Sequence, residues 1–143
     1  MEWKPEYSLG IIEIDGQHQG LLKCFGEIER AMASGKGWTD VHYAIVDLTQ
    51  KAHMHFEFEE ALQRLYGYPD AEQHGRTHGG FFIKLQDIER HALTNSAQSE
   101  MVDFLREWLT DHILLADRDY AQYIIGGAEI MRSDPTPHLR RIA

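Results

Sequence analysis

The chain has 143 residues, 43% of them hydrophobic and 26% charged, which is enough for one domain with a sizeable core. Its 23 acidic residues outweigh 14 Lys and Arg residues, and the resulting net charge of −9 opposes binding to nucleic acid or to an anionic membrane surface. The single cysteine, Cys24, excludes an internal disulfide and a thiolate metal site, and reads as a small buried hydrophobe.

The N-terminal residues 1–14 form an arm ahead of the first helix. Their opening, MEWKPEYSLG, has no basic-then-apolar leader. No run of about 18 apolar residues follows anywhere, so membrane insertion is not expected and a cytoplasmic location is. The first helix is expected over about 16–33, with Asp15 as its N-cap. On it, His18 shares a stripe with Leu22, Phe25 and Met32. The break SGKGWTD, 34–40, leads to a second helix over about 40–66. Here Ile45, Leu48, Ala52, His55, Glu59, Leu62 and Tyr66 recur at steps of three and four, a single face aimed at the core. The stretch HMHFEFEE holds a second pair, His53 and Glu57, roughly 200° around the helix from the first. With Val46, Gln50, Glu60 and Arg64 it forms a mostly polar face, so His53–Glu57 is expected as a solvent-facing pair. Gly67-Tyr68-Pro69 stops this helix.

The third helix is expected over about 70–92, capped by Asp70. His74 and His78 lie four residues apart on a face continued by Phe82 and Leu85, a spacing that can chelate one metal ion. Gly75, Gly79 and Gly80 each cost up to about 1 kcal/mol in a helix, and are read first as tolerated glycines, with close helix approach or a gas or water path as the alternatives. After the break LTNSA at 93–97, a fourth helix spans about 97–125 and ends at Gly126-Gly127. A C-terminal tail covers 128–143, with SDPTPH at 133–138 loosely attached. Leu105, Trp108 and His112 share the apolar face of the fourth helix. Asp117 follows His112 by five residues, about 140° away on a regular helix. Either the two flank one cavity, or a π-bulge brings them into line. Asp111 and Asp119, and likewise His42, His91 and His138, fall on the surface. Four helices with short breaks, and no strand pattern, predict an all-α, antiparallel up-down-up-down four-helix bundle with an N-terminal arm, one domain over 1–127.

Nine histidines is the one compositional excess, and imidazole is the commonest metal ligand. Five of them, His18, His55, His74, His78 and His112, point inward with Glu59 and Asp117. Burying seven such groups is costly without compensation. Seven ligands exceed what one first-row ion takes, so two ions are implied, with the carboxylates available as bridges. Imidazole-rich, thiolate-free ligation suits iron better than zinc or manganese.

The segments I-D-x-Q-H at 14–18, H-F-x-x-E-E at 55–60, G-Y-P at 67–69, H-x-x-x-H at 74–78 and W-L-x-x-H-I-x-x-x-D-x-x-Y at 108–120 together resemble the hemerythrin family, in particular its single-domain bacterial members. The resemblance runs from Trp3 to about Tyr123. It implies a non-haem di-iron centre that binds O2 reversibly, for storage, transport or delivery to an oxygen-consuming enzyme, in a protein that is not itself an enzyme. It further implies one iron on His74, His78 and His112, the other on His18 and His55 and open to O2, and bridges from Glu59, Asp117 and an oxo or hydroxo group. Phe56, Trp108, Leu109 and Ile113 match positions lining the O2 pocket. A monomer is expected. The alternatives are a module sensing O2, NO or iron, and a di-iron oxidase or peroxidase. The latter relies on Glu-x-x-His pairs, which this sequence does not contain.

Overall fold

In the computed structural model, which describes residues 1–35, 37–91 and 95–133, the stripe on the second helix shows how the chain is organised. Ile45, Leu48, Ala52, His55 and Glu59 are buried along one side of it, while Gln50, His53, Glu57 and Arg64 on the other side are exposed. The same segregation repeats along each helix. A short 3-10 turn, Pro5–Tyr7, precedes α1 (Ile12–Ala33), α2 (Trp38–Leu65) and α3 (Ala71–Arg90). Then α4 (Asn95–Asp111) passes through a π-helical turn, His112–Ala116, into α5 (Asp117–Ser133) without a break. The α4–α5 unit acts as the fourth rod. α1 packs on α2, α2 on α3, α3 on α4, and α4 back on α1, which closes a four-helix bundle. Among the described residues there is no strand, and no helix is long and apolar enough to cross a membrane.

The helix ends show where local signals decide and where they do not. At the end of α2 the N–H of Tyr68 reaches the Gln63 carbonyl (2.9 Å) and that of Gly67 the Arg64 carbonyl (3.2 Å), with Gly67 at φ 65°. This is a complete Schellman turn, and the left-handed residue is a glycine because a Cβ would be strained there. Asp70 takes the N-cap position of α3, but its side chain makes no capping bond. Asp15, expected to cap α1, instead lies inside it, since the helix begins at Ile12. Its carboxylate caps the arm: it accepts from the Leu9 N–H (2.8 Å) and the Ser8 hydroxyl (2.6 Å). The Gly126-Gly127 pair, expected to end the last helix, does not: neither residue has positive φ and α5 continues to Ser133. Glycine costs a helix only about 1 kcal/mol, too little to stop one that is otherwise held. The break residues 92–94 and the tail residues 134–143, His138 included, lie outside the described residues.

The core comes in two parts. The larger holds Leu22, Phe25, Ile45, Leu48, Phe81, Leu85, Met101 and Leu105, and the smaller holds Leu9, Ile14, Tyr120, Ala121 and Ile124. In α1 the chain passes from the smaller part at Ile14 to the larger at Leu21 through His18, and in α4–α5 from the larger at Leu109 to the smaller at Tyr120 through His112 and Asp117. The arm bridges the two parts, with Tyr7 buried in the larger and Leu9 in the smaller. Asp15→Ala should therefore free the arm and lower stability by ~1 kcal/mol, as loss of a cap does. Chemical denaturation measures the loss, and faster amide exchange at Leu9 locates it.

Candidate metal centre

Five imidazoles and two carboxylates meet in the layer between the two apolar parts. His18, Glu59 and Asp117 are fully buried, and His55, His74, His78 and His112 are at most 6% exposed. Each histidine turns its Nε2 inward. The carboxylates divide their oxygens between two groups. Glu59 Oε1 lies 2.6 Å from His55 and 3.7 Å from His18, and Asp117 Oδ2 lies 2.7 Å from His18 and 3.8 Å from His55. The other oxygens face the remaining three. Glu59 Oε2 is 3.2 Å from His74, 3.1 Å from His78 and 3.6 Å from His112; Asp117 Oδ1 is 3.1 Å from His74 and 2.7 Å from His112. Two histidines and three histidines thus share one pair of carboxylates. In each group the candidate ligand atoms all lie within 4.8 Å of one another.

The π turn is what brings Asp117 into this layer. On a regular helix the five-residue step from His112 would set the two side chains about 140° apart. Here the backbone N–H of Asp117 bonds to the carbonyl of His112, an i to i+5 closure, and both side chains point to the same centre. Asp111 and Asp119 stay exposed.

A family model, the hemerythrin HHE cation binding domain, matches residues 9–124. The chain belongs to the hemerythrin family. Among its relatives, the bacteriohemerythrin of Clostridium acetobutylicum is 29% identical over 124 residues, covering 82% of this chain and 96% of that one. The bacteriohemerythrin of Stenotrophomonas maltophilia is 29% identical over 125 residues, 85% of this chain and 80% of the other. A hemerythrin-like protein of Naegleria gruberi is 25% identical over 118 residues, 82% and 88% of the two.

The donor set of the layer fits cations by its own chemistry. His55 Nδ1–H donates to Gln17 Oε1 at 2.6 Å, which leaves Nε2 as a lone pair. That lone pair faces Glu59 Oε1 at 2.6 Å, yet neither atom has a hydrogen-bond partner among the described residues. Two acceptors so close repel unless a proton or a cation stands between them. His78 Nε2 and His112 Nε2 lie 3.1 Å apart, where a proton on either ring would bridge them. Gln17 could not be picked from the helical stripe, because it sits one residue off it; only its place in the I-D-x-Q-H segment marked it. Gln63 was also missed. It is fully buried four residues beyond Glu59, with both amide atoms unpartnered among the described residues, whereas Leu62 and Tyr66, expected on the core face, are only half-buried.

Aromatic rings close the layer. Phe56 stacks on His78 (3.9 Å, 4°) and Trp108 on His112 (4.3 Å, 14°), so both rings contact the three-histidine group. Leu109 and Ile113 are buried in the larger core part. His53, expected to pair with Glu57, is exposed but stacks on Phe82 (3.8 Å, 10°), and no His53–Glu57 ion pair forms among the described residues. Of the three glycines in α3, only Gly75 has a close neighbour: a Cβ there would stand 2.9 Å from Glu60 Oε1, the far end of a flexible side chain that would have to shift. Glu60 in turn approaches His78 Nδ1 at 3.7 Å. Cys24 is buried, between Lys51 and Asp47 at 3.3 Å each, and burial pushes its thiol up.

Without a metal, protons must occupy the layer. Burial alone would pull His55 and His74 down, but Glu59 and Asp117 push both up to about 9. His112 is raised too, its burial outweighed by Asp117. Burial raises Glu59 and Asp117, yet the surrounding imidazoles hold both carboxyls below their usual range. His78 is lowered, by burial and by the like charges of His112 and His74.

The signs follow from linkage. Raised histidines stabilise the metal-free protein below their unfolded value of about 6.5, and that contribution is lost as pH rises through about 9. Depressed carboxyls stabilise it above their unfolded value of about 4, and that contribution is lost as pH falls. A metal must displace the histidine protons, so metal affinity should climb with pH up to about 9, with protons released on binding near neutrality. Chelator-competition titrations across that range check the slope. Gln17→Leu removes the acceptor that fixes the His55 tautomer. It should weaken metal binding by roughly 10- to 100-fold with little change in helix content, read by the same titration and by circular dichroism.

Proposed function

We propose that this protein binds O2 reversibly at a pair of iron ions, as an oxygen store or carrier supplying an oxygen-consuming enzyme, and is not itself an enzyme. The observation that carries this reading is the uneven sharing of two carboxylates between three histidines and two. His74, His78 and His112 would hold one ion, His18 and His55 the other, and Glu59 and Asp117 would span both. Bound there, ferrous ions would supply the electrons that hold O2 reversibly. The two-histidine group offers one protein ligand fewer, which suits a small exogenous molecule on that side. A pocket of ≈ 280 Å³, lined by Gln17, Gly20, Lys51, Met54, His55 and Phe58, opens from the surface against His55 on that same side.

The protein's own task is to orient and to exclude. Gln17 holds the His55 ring in one tautomer. Phe56 and Trp108 pin His78 and His112 by stacking, and with Leu109 and Ile113 they keep the layer dry. A dry, apolar wall disfavours separation of charge, and so retards loss of a reduced oxygen species to solvent. Oxidase chemistry is disfavoured by the same donor set, which has only two carboxylates and no Glu-x-x-His pair.

Protein loaded with ferrous iron and exposed to air should bind about two irons per chain and develop a charge-transfer band that disappears on deoxygenation. His53→Ala should leave that band intact and His55→Ala should abolish it. A band that never forms, or that survives removal of O2, ends the carrier reading; steady substrate-dependent O2 consumption would replace it with an oxidase.

A further inference from the structure

We propose that Arg118 is a positioning residue for the metal centre: it locks the π turn in the register that aims Asp117 at the histidines. This rests on the reading of the layer as a metal site, though not on O2 being its ligand. A π turn places one extra residue in the helical ladder and relaxes to ordinary α-helix unless its surroundings hold it. Such a slip would rotate Asp117 by about 100° relative to His112. Arg118 spans the turn with two hydrogen bonds. Its Nε donates to the Leu114 carbonyl at 3.3 Å, inside the π turn. That carbonyl lies four residues back, the one that the backbone N–H of residue 118 serves in an uninterrupted α-helix, so the side chain bonds the turn at the point where its ladder shifts. Its Nη2 donates to the Glu6 carbonyl at 2.6 Å, in the arm.

The arm is a firm anchor. Tyr7 and Leu9 are buried on either side of Ser8, and Asp15 ties down both Ser8 and Leu9. Arg118 therefore braces the turn against α1 through the arm. Both acceptors are carbonyl oxygens, so it acts on the backbone and not on the Asp117 charge. The rigid fork of a guanidinium supplies two N–H groups at once, whereas a lysine ammonium at the end of its chain reaches one carbonyl or the other.

The test uses full-length Arg118→Ala, Arg118→Lys and, as control, Leu115→Ala, an exposed position in the same turn. Amide exchange over 112–118 in the metal-free proteins is read first, then cobalt(II) affinity and its visible ligand-field spectrum. Arg118→Ala should exchange about tenfold faster and bind cobalt about tenfold more weakly. Its spectrum should change, because Asp117 is displaced. Arg118→Lys should recover this only in part, and Leu115→Ala should match the parent protein. Wild-type exchange and spectrum in Arg118→Ala overturn the proposal, even with a lowered Tm. If that variant does not fold, a parent-like exchange rate and spectrum in Arg118→Lys overturn it. If the parent protein takes up no cobalt, the metal reading falls, and the metal-free exchange still decides the role of Arg118.

Discussion

Two carboxylates with no solvent exposure set the terms for everything else in this molecule. An isolated buried carboxylate is untenable, and two within reach of one another are worse. The chain answers with five imidazoles whose Nε2 atoms converge on the four carboxylate oxygens. Such compensation works only if every ring is held in orientation and tautomer. The Gln17 acceptor and the stacked Phe56 and Trp108 are means to that end. Protons can fill the layer, but they leave like charges facing one another, as the depressed His78 registers. Cations fill it without that conflict.

The backbone contributes one irregularity, at the place where the sequence has one residue too many for its helical period. The π turn converts a five-residue spacing into a shared direction, and its register is braced from outside through Arg118 and the arm. A peripheral N-terminal segment is in this way connected to a fully buried carboxylate in two steps, Glu6 to Arg118 and Arg118 to the turn ahead of Asp117. Asp15 belongs to the same construction, because it fixes the arm that Arg118 leans on.

Much of this is legible in the sequence. The three-and-four periodicity of α2 separated His55 and Glu59 from His53 and Glu57, because burial follows helical period whatever the partner. The spacing of His74 and His78 worked for the same reason. Asp117 was different: its spacing admitted two geometries, and only the hydrogen-bond register of the backbone chooses between them. Gln17 lies off the stripe of its own helix and acts across to α2, so periodicity is blind to it. Gln63 was hidden because Leu62 satisfied the pattern equally well. The Asp15 and Gly126-Gly127 signals misled because capping and breaking preferences are worth only about 1 kcal/mol, and tertiary packing decides against them easily.

The polar layer also divides the hydrophobic core, and that bears on how the protein melts. Leu9, Ile14, Tyr120, Ala121 and Ile124 form an island cut off from the main core by the histidines and carboxylates. An island this small has little cohesion of its own, and it is joined to the rest by the layer and by the arm, whose Tyr7 packs in the main core and Leu9 in the island. Ions bound across that layer would act as a weld between two unequal halves, turning their binding energy into folding cooperativity. Stripped of ions, the island would be held to the main core less firmly and would be the first part to loosen.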